Sequence, residues 1–255
     1  MRQEMMVRTI CALERNPGND SGEEHMMDCV YMMQGLRVVD LTKELDPATE
    51  TRRCKLYRFN TGGPIPDYHT NMDLMSHLGT HCECPYHHDD AWPSVADLPL
   101  TTFFGRAIYV DFHDALPNSY ITAAMLDAYC APKMKEGDIV LIDSPYKLPP
   151  FTAKTNTKED KRLLVNGETA KWFKEHKAKC IGFGDGVSIE NRNEDVKPFH
   201  DILLAENIVF LEVLKNLDKL STDTFFMSYA PIPLKGLDSC PVRAYAIEGL
   251  PGFTA

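Results

Sequence analysis

The hydrophobic and polar positions of the chain follow two periods. Short runs rich in β-branched and aromatic residues, bounded by turn residues, predict strands. These runs are 36–41, 107–112, 138–142, 180–183 and 208–212. Between them, segments with apolar residues three or four positions apart predict helices, which cover 122–130, 167–176 and 198–206. Strands that alternate with helices predict an α/β protein.

Residues 1–35 depart from this pattern. Seven of the twelve methionines lie there, and a polar run over 16–24 interrupts them. We therefore predict a loosely ordered N-terminal extension over 1–35 and one domain over 36–255, since 255 residues is near the upper size of a single domain. Pro149-Pro150 and the lysine-rich stretch that runs to residue 162 predict a long surface loop.

Composition narrows the class of protein. The net charge of -10 opposes binding to a phosphate backbone or to an anionic membrane surface, so we expect neither nucleic acid nor membrane as a partner. The sequence has no apolar run long enough to span a membrane and no secretory signal, and we expect a cytoplasmic location. Eight scattered cysteines predict reduced thiols.

Candidate chemistry is concentrated in the stretch 77–87, which contains His77, His81, Glu83 and His87. Imidazole and carboxylate are ligands of zinc and similar divalent ions. A fully extended chain would separate positions 77 and 83 by about 20 Å, so the segment must coil to bind one ion. One helical turn would bring His77 and His81 together, and Pro85 would hold the residue before it extended.

Two other interpretations of this stretch remain. Any single histidine in it is more often a surface residue of a loop, whereas four candidate ligands together favour a metal site. Cys82 and Cys84 flank Glu83 and would suit a soft metal, but two thiols without a second pair rarely form a site. The next polar residues, 88–90, are expected to form a solvated turn.

The stretch His77-x-Gly79-Thr80-His81-x-Glu83-x-Pro85-x-His87 resembles the HxGTHxDxPxH signature of the metal-dependent cyclase family, which includes bacterial kynurenine formamidase and isatin hydrolase. Further segments resemble the family as well, and they are 40–42, 95–100, 137–141 and 233–244. The resemblance covers residues 36–245. It implies a single α/β domain with a β/β/α layered core and assembly as a homodimer or homotetramer.

The resemblance also implies roles. His77 and His81 match ligands of a first metal, Glu83 matches a bridging carboxylate, and His87 matches the catalytic acid/base. The second metal of kynurenine formamidases is held by a His and a Glu twelve residues apart, which is the spacing of His200 and Glu212. Without the resemblance, the alternative for Glu212 is an ion pair with a lysine such as Lys215.

The expected function is a metal-dependent hydrolase of the arylformamidase type, which cleaves C–N bonds other than peptide bonds. A zinc or manganese ion, alone or with a second one, would activate water against a small amide, formamide, or cyclic amide or lactone. Glu83 stands where the signature has Asp, which leaves the number of ions open. The Trp-Pro-Gly setting of the formamidase pocket is absent from 46–50, which argues against N-formylkynurenine.

Two alternative functions stay open from the sequence. The same centre suits a lyase or a ring-closing cyclase that acts on a small carbonyl compound. A non-catalytic, metal-dependent binding protein is the other alternative. Other motifs are weak: Gly182-Phe183-Gly184-Asp185-Gly186 lacks the third glycine of a dinucleotide site and predicts a tight turn, and the GxSxG nucleophile motif is absent.

Overall fold

The computed structural model describes residues 29–65, 67–190 and 194–254. They divide into two compact units, of which one contains residues 45–75 and the other contains 29–44 and the remainder from Ser76 onward. Of the predicted extension, residues 1–28 lie outside the described residues. Val30–Met33, which was also assigned to the extension, forms a strand that pairs with the next one along the chain.

Fourteen strands and three α-helices are found in the described residues. The strands are β1 (Val30–Met33), β2 (Leu36–Asp40), β3 (Cys54–Asn60), β4 (Tyr68–Leu74), β5 (His81–Glu83), β6 (Phe104–Asp111), β7 (Ile139–Asp143), β8 (Leu163–Leu164), β9 (Cys180–Phe183), β10 (Val187–Ser188), β11 (Val209–Glu212), β12 (Thr224–Ser228), β13 (Ser239–Pro241) and β14 (Tyr245–Glu248). The helices are α1 (Ala123–Tyr129), α2 (Gly167–Glu175) and α3 (Val196–Leu204). None of these helices is long and apolar enough to cross a membrane.

A sheet of ten strands forms the larger unit, in the order β1-β2-β14-β12-β6-β7-β9-β11-β5-β13. Its central strands, β6-β7-β9-β11, are parallel. They correspond to the predicted strands 107–112, 138–142, 180–183 and 208–212. Helix α2 connects β7 to β9 and helix α3 connects β9 to β11. The α/β class predicted from the sequence is confirmed.

Two apolar cores follow from the alternation of side chains along the central strands. One core packs Ile108, Val140 and Ile181 against helix residues such as Phe173 and Phe199. The other core combines the opposite faces of the same strands with side chains from both ends of the sheet, namely Val39, Cys82, Ala107, Leu141, Leu211, Phe225, Cys240 and Ala246. The larger unit therefore has three layers, which are the helices, the central strands, and the strands from the two ends of the sheet.

The smaller unit is a β-hairpin in which β3 and β4 pair antiparallel over seven residues each. Leu56 lies opposite Met72, and both side chains are exposed. Tyr57 and Phe59, on the other face of β3, are exposed as well. A two-stranded hairpin of this kind has little apolar burial of its own, and its strands were not predicted because their polar and apolar residues do not alternate cleanly.

The tight turn predicted at 182–186 is present, with turn residues between β9 and β10. Asp143, at the end of β7, accepts hydrogen bonds from the backbone N–H groups of Ser144 and Gly186, both at 2.8 Å. Two neighbouring strand ends are thus joined through one buried carboxylate. The predicted surface loop is present and largely exposed over 151–159, but its end turns inward, because Asp160 and Arg162 are both 1% exposed.

This turn generates a prediction about Gly186. A Cβ atom at Gly186 would lie 2.4 Å from the backbone oxygen of Ser144 and 2.6 Å from Asp143 Oδ1. Backbone cannot move aside cheaply, so Gly186→Ala should lower the free energy of unfolding by about 3 kcal/mol. Urea denaturation of the two proteins measures this difference in the free energy of unfolding.

The control is Gly167→Ala, at the start of α2, where the nearest atoms lie 3.6 Å from the added Cβ. Its free energy of unfolding should stay within about 0.5 kcal/mol of the wild-type value. Equal stability of the two variants would show that the turn is not tightly packed.

Candidate metal centre

Strand β5 brings the central part of the 77–87 stretch into the sheet. Neighbouring side chains of a strand point to opposite faces, so His81 and Glu83 share one face while Cys82 joins the apolar core on the other. Strand β5 pairs antiparallel with β11 on one side and with β13 on the other. The register sets Glu212 opposite His81.

The helical turn predicted over 77–81 is not formed. His81 belongs to the ladder of strand β5, and the residues before it form a bend in which Gly79 has a φ of +59°. Such a backbone conformation costs a glycine little, and it turns the chain sharply enough to bring the rings of His77 and His81 to a centroid distance of 5.2 Å. The extended conformation predicted for Cys84 before Pro85 is present, and Pro85–His87 forms a 3-10 turn.

Glu83 lies among four imidazole rings. Its Oε1 atom is 3.0 Å from Nε2 of His77, 3.6 Å from Nε2 of His81 and 4.0 Å from Nε2 of His87. Its Oε2 atom is 3.8 Å from Nε2 of His200. The carboxylate therefore stands between the histidines of the 77–87 stretch and a histidine far along the chain.

His200 and Glu212 come from helix α3 and strand β11. His200 is the fifth residue of its helix, because α3 begins at Val196 and not at the predicted Pro198. Glu212 ends β11, as predicted, and its Oε2 atom is 3.4 Å from Nε2 of His81. Lys215, the alternative partner for Glu212, forms an ion pair with Asp185.

The Nδ1 atoms of three histidines are engaged by nearby oxygens. Nδ1 of His81 lies 2.8 Å from the carbonyl oxygen of Gly79, and Nδ1 of His200 lies 2.8 Å from that of Val196. Nδ1 of His77 lies 3.0 Å from the hydroxyl oxygen of Ser76. Backbone carbonyls of this kind hold the proton on Nδ1 and orient Nε2 toward a ligand, which is the usual arrangement around metal-binding histidines.

Electrostatics differ between the buried members of the centre. Burial by itself would raise the pKa of Glu83, but its contacts with the imidazole rings of His77 and His81 outweigh burial and hold the pKa well below its usual range. Burial lowers the pKa of His200, although the charge of Glu83 opposes this. An ionised Glu83 beside a neutral His200 is the combination of protonation states that a divalent ion requires.

Sequence reasoning missed Asp238. Its Oδ2 atom lies 3.6 Å from Nδ1 of His87 and 3.6 Å from Nδ1 of His77. Interaction with His87 lowers the pKa of Asp238 to about 2, and Asp238 in turn raises the pKa of His87. Asp238 lies just before β13, the strand next to β5, so pairing of these strands brings it to the site. It lies within the segment 233–244, but no local spacing links it to His87.

His88 was expected in a solvated turn, yet its side chain is only 17% exposed. Its ring stacks on that of His200 with an interplanar angle of 6° and a centroid distance of 4.9 Å. Asp201 accepts a hydrogen bond of 2.7 Å from Nδ1 of His88. His88 thus packs against His200 from the side of the 3-10 turn. This contact was not predicted, because the partner is on a helix far along the chain.

Three groups of side chains have ligand atoms within 4.8 Å of one another. Glu83 belongs to two of them, namely His77, His81 and Glu83, and Glu83, His200 and Glu212. The third group is His77, His87 and Asp238. Nε2 of His81 and Oε2 of Glu83 are buried and have no hydrogen-bond partner among the described residues. Unsatisfied buried nitrogen and oxygen atoms that converge in this way fit a divalent metal.

The soft-metal interpretation of Cys82 and Cys84 has no support in the described residues. Both thiols are fully buried in the apolar core, and burial raises the pKa of Cys82 well above its usual value. Deprotonated thiols bind metals, so Cys82 is a poor ligand. All seven cysteines in the described ranges are free thiols.

The fold and this centre define the chain as an α/β protein with a histidine- and carboxylate-lined site at the paired strands β5 and β11. Residues 39–191, more than half of the chain, match the model of the family described as "Putative cyclase". The chain belongs to this cyclase family.

Solved structures share the fold. Isatin hydrolase A from Labrenzia aggregata has a TM-score of 0.65 at 20% identity, over 83% of this chain and 93% of that one. Isatin hydrolase A from Ralstonia solanacearum has a TM-score of 0.65 at 24% identity, over 83% and 92% of the two chains. A "predicted metal-dependent hydrolase" from Bacillus stearothermophilus has a TM-score of 0.61 at 21% identity, over 84% and 98%.

Proposed function

We propose that this protein is a metal-dependent hydrolase that cleaves a small amide, a formamide, or a cyclic amide or lactone. The observation that carries the proposal is the position of Glu83, which is common to two convergent groups of ligand atoms and lies 4.0 Å from His87. His77, His81, Glu83, His200 and Glu212 are the proposed ligands. Their nitrogen and oxygen atoms suit zinc or manganese.

A divalent ion in this centre supplies Lewis acidity, which lowers the pKa of water and polarises a carbonyl group. The protein residues keep the ligand atoms in place before any ion binds. Glu83 contributes negative charge between the two groups, and its longer side chain reaches one methylene further than the aspartate of the family signature. The hydrogen bonds at Nδ1 of His81 and His200 keep each Nε2 directed at Glu83.

His87 is the proposed acid/base. Its side chain is 31% exposed, which leaves it accessible to a substrate, whereas His81 is buried. Asp238 lies against its Nδ1 atom, and a carboxylate in that position fixes the ring and favours proton uptake at Nε2. His87 would accept a proton from the attacking water and return it to the leaving nitrogen or oxygen.

The names of the fold relatives suggest which substrates to test first. Two of the relatives described above are named isatin hydrolases, and isatin is a cyclic amide. A panel of isatin, formanilide, simple lactams and simple lactones therefore covers the proposed bonds. Product analysis on the same panel separates hydrolysis from elimination or ring closure, because only hydrolysis adds the elements of water.

The first prediction concerns metal content. Wild-type protein should carry two equivalents of zinc or manganese, and Glu212→Gln should carry one, because the amide keeps the volume but lacks the charge that the second ion needs. Elemental analysis of untagged protein measures it. Glu206→Gln, at an exposed residue paired with Lys174, is the control and should leave the content at two.

Two outcomes would contradict this assignment. A metal content of one equivalent in the wild-type protein would mean that no second ion binds. An unchanged metal content in Glu212→Gln, together with a lower melting temperature, would mean that Glu212 is only a structural partner of its neighbours.

The second prediction separates ligand from base. His87→Ala should keep its metal while turnover falls about a hundredfold, which is the usual contribution of a positioned acid/base. His81→Ala should lose the metal, because Nε2 of His81 lies between Glu83 and Glu212. Metal analysis and steady-state kinetics on both variants test it, and equal metal loss in the two would show that His87 is a ligand.

The third prediction assigns Asp238 as a positioning residue for His87. Asp238→Asn should lower kcat about tenfold with little change in KM, since outer partners of this kind typically contribute ten- to a hundredfold. In a His87→Ala background the same change should have no further effect, because the ring it positions is gone. Asp218→Asn, at a side chain 69% exposed, is the control. Additive losses in the double variant would mean that Asp238 acts independently of His87.

A further inference from the structure

A pocket adjoins the proposed metal centre on the side of strand β11. Glu212, a proposed ligand, is part of its wall. The pocket is partly open to solvent. Phe183 and Ile189 give the pocket apolar surface, while Asp185 and Glu190 give it carboxylates. The pocket and the proposed metal centre therefore share Glu212.

Arg162 fixes one of these carboxylates. Its guanidinium donates to both oxygens of Asp160, from Nε at 3.0 Å and from Nη2 at 2.8 Å, and its Nη1 atom is 2.9 Å from Oε2 of Glu190. The side chains of Arg162 and Asp160 are 1% and 0% exposed. One buried cation thus faces two buried carboxylates, which leaves the cluster with an excess of negative charge.

Glu190 retains a free acceptor. Its side chain is 8% exposed, and Oε2 takes the contacts from Arg162 and from the hydroxyl of Ser188 at 3.3 Å. Oε1 is buried and has no hydrogen-bond partner in the described ranges. Asp185 repeats the pattern, because Lys215 contacts its Oδ2 while Oδ1 is buried without a partner in the same ranges. A buried charged acceptor without a donor lowers the stability of the protein, so we expect a ligand to donate a hydrogen bond to each of these atoms.

The charge of the two carboxylates favours a positively charged N–H donor over a metal or an anion. No convergent group of three or more ligand atoms in the described residues includes Asp185 or Glu190, so a metal ion does not fit. An anion does not fit either, because Arg162 is already engaged by two carboxylates and the free atoms are acceptors. An amine or ammonium group on an apolar body matches both the acceptors and the apolar wall.

We propose that this pocket binds an amino or ammonium group of the substrate through Oε1 of Glu190 and Oδ1 of Asp185. The role as a substrate subsite rests on the proposed function, whereas the binding of an amine does not. Arg162 acts as a positioning residue that holds Glu190. A substrate without the N–H group would leave both acceptors unpaired, and this is the type of mismatch that sites reject most strongly.

Binding is tested first, without turnover. Calorimetric titration compares benzylamine with benzyl methyl ether, a probe of similar size that lacks a donor. Wild-type protein should bind benzylamine at least tenfold more tightly, and Glu190→Gln should lose most of this preference because the amide lacks the negative charge. Asp185→Asn should reduce it independently. Glu159→Gln, at a residue 66% exposed, should bind as the wild type does.

Metal content and thermal melts of each variant verify that the fold and the metal centre are intact. If Glu190→Gln fails to fold, Asp185→Asn decides the result, since Asp185 makes no contact with Arg162 among the interactions described. Equal affinity for the two probes in the wild-type protein, or a preference that survives both substitutions, would overturn the proposal.

Kinetics then connect the pocket to the reaction. The ortho, meta and para aminoformanilides are compared with the corresponding methylformanilides, which have nearly the same shape. At least one amino isomer should exceed its methyl counterpart tenfold in kcat/KM, and Glu190→Gln should reduce this ratio. Equal rates in both series would overturn the substrate role while leaving the hydrolase function intact. Selective benzylamine binding without turnover of any panel substrate would instead contradict the hydrolase function and leave the amine pocket intact.

Discussion

The burial of one carboxylate among imidazole rings is the constraint on which the rest of this structure depends. Glu83 is 3% exposed, and an ionised side chain at such depth is stable only if its surroundings compensate the charge. The compensation comes from histidines on a bend, a strand and a helix, so all three must be positioned together. A shift of β5 by one residue would direct Cys82 at the histidines and Glu83 into the apolar core. The charge of Glu83 therefore fixes the register of β5 against both its neighbours.

The sequence was most informative where burial is continuous. The runs at 107–112, 138–142, 180–183 and 208–212 correspond to the central parallel strands β6, β7, β9 and β11, because a parallel sheet covered on both faces selects uninterrupted apolar residues. The strands outside this centre were harder to find. Strands β5 and β13 are three residues long, and the residues of β5 are selected for chemistry rather than for strand propensity. The hairpin β3–β4 has exposed apolar residues on both faces, which removes the alternation that marks a strand.

The residues of the candidate site likewise fall into those that could be predicted from the sequence and those that could not. Residues 77, 81, 83 and 87 could be recognised together because they lie close in sequence, and the resemblance added His200 and Glu212. The structure brings these six side chains together, while their roles as ligands and base remain predictions. Asp238 and His88 were missed because each acquires its place only through pairing or packing with a distant element. The error in the turn at 77–81 has a local cause, since spacing alone cannot distinguish a helical turn from a glycine bend followed by a strand.

The position of β5 between β11 and β13 has a consequence for synthesis. The hydroxyl of Thr80, just before β5, donates to the carbonyl of Val213, which is 133 residues later. Both neighbouring strands therefore leave the ribosome long after β5, and a nascent chain carries β5 with two unpaired edges for most of its elongation. Unpaired strand edges promote association between chains, and the histidines beside them are available to stray metal ions during this interval. The stretch with the densest chemistry is consequently among the last parts of the sheet to be protected as the protein is made.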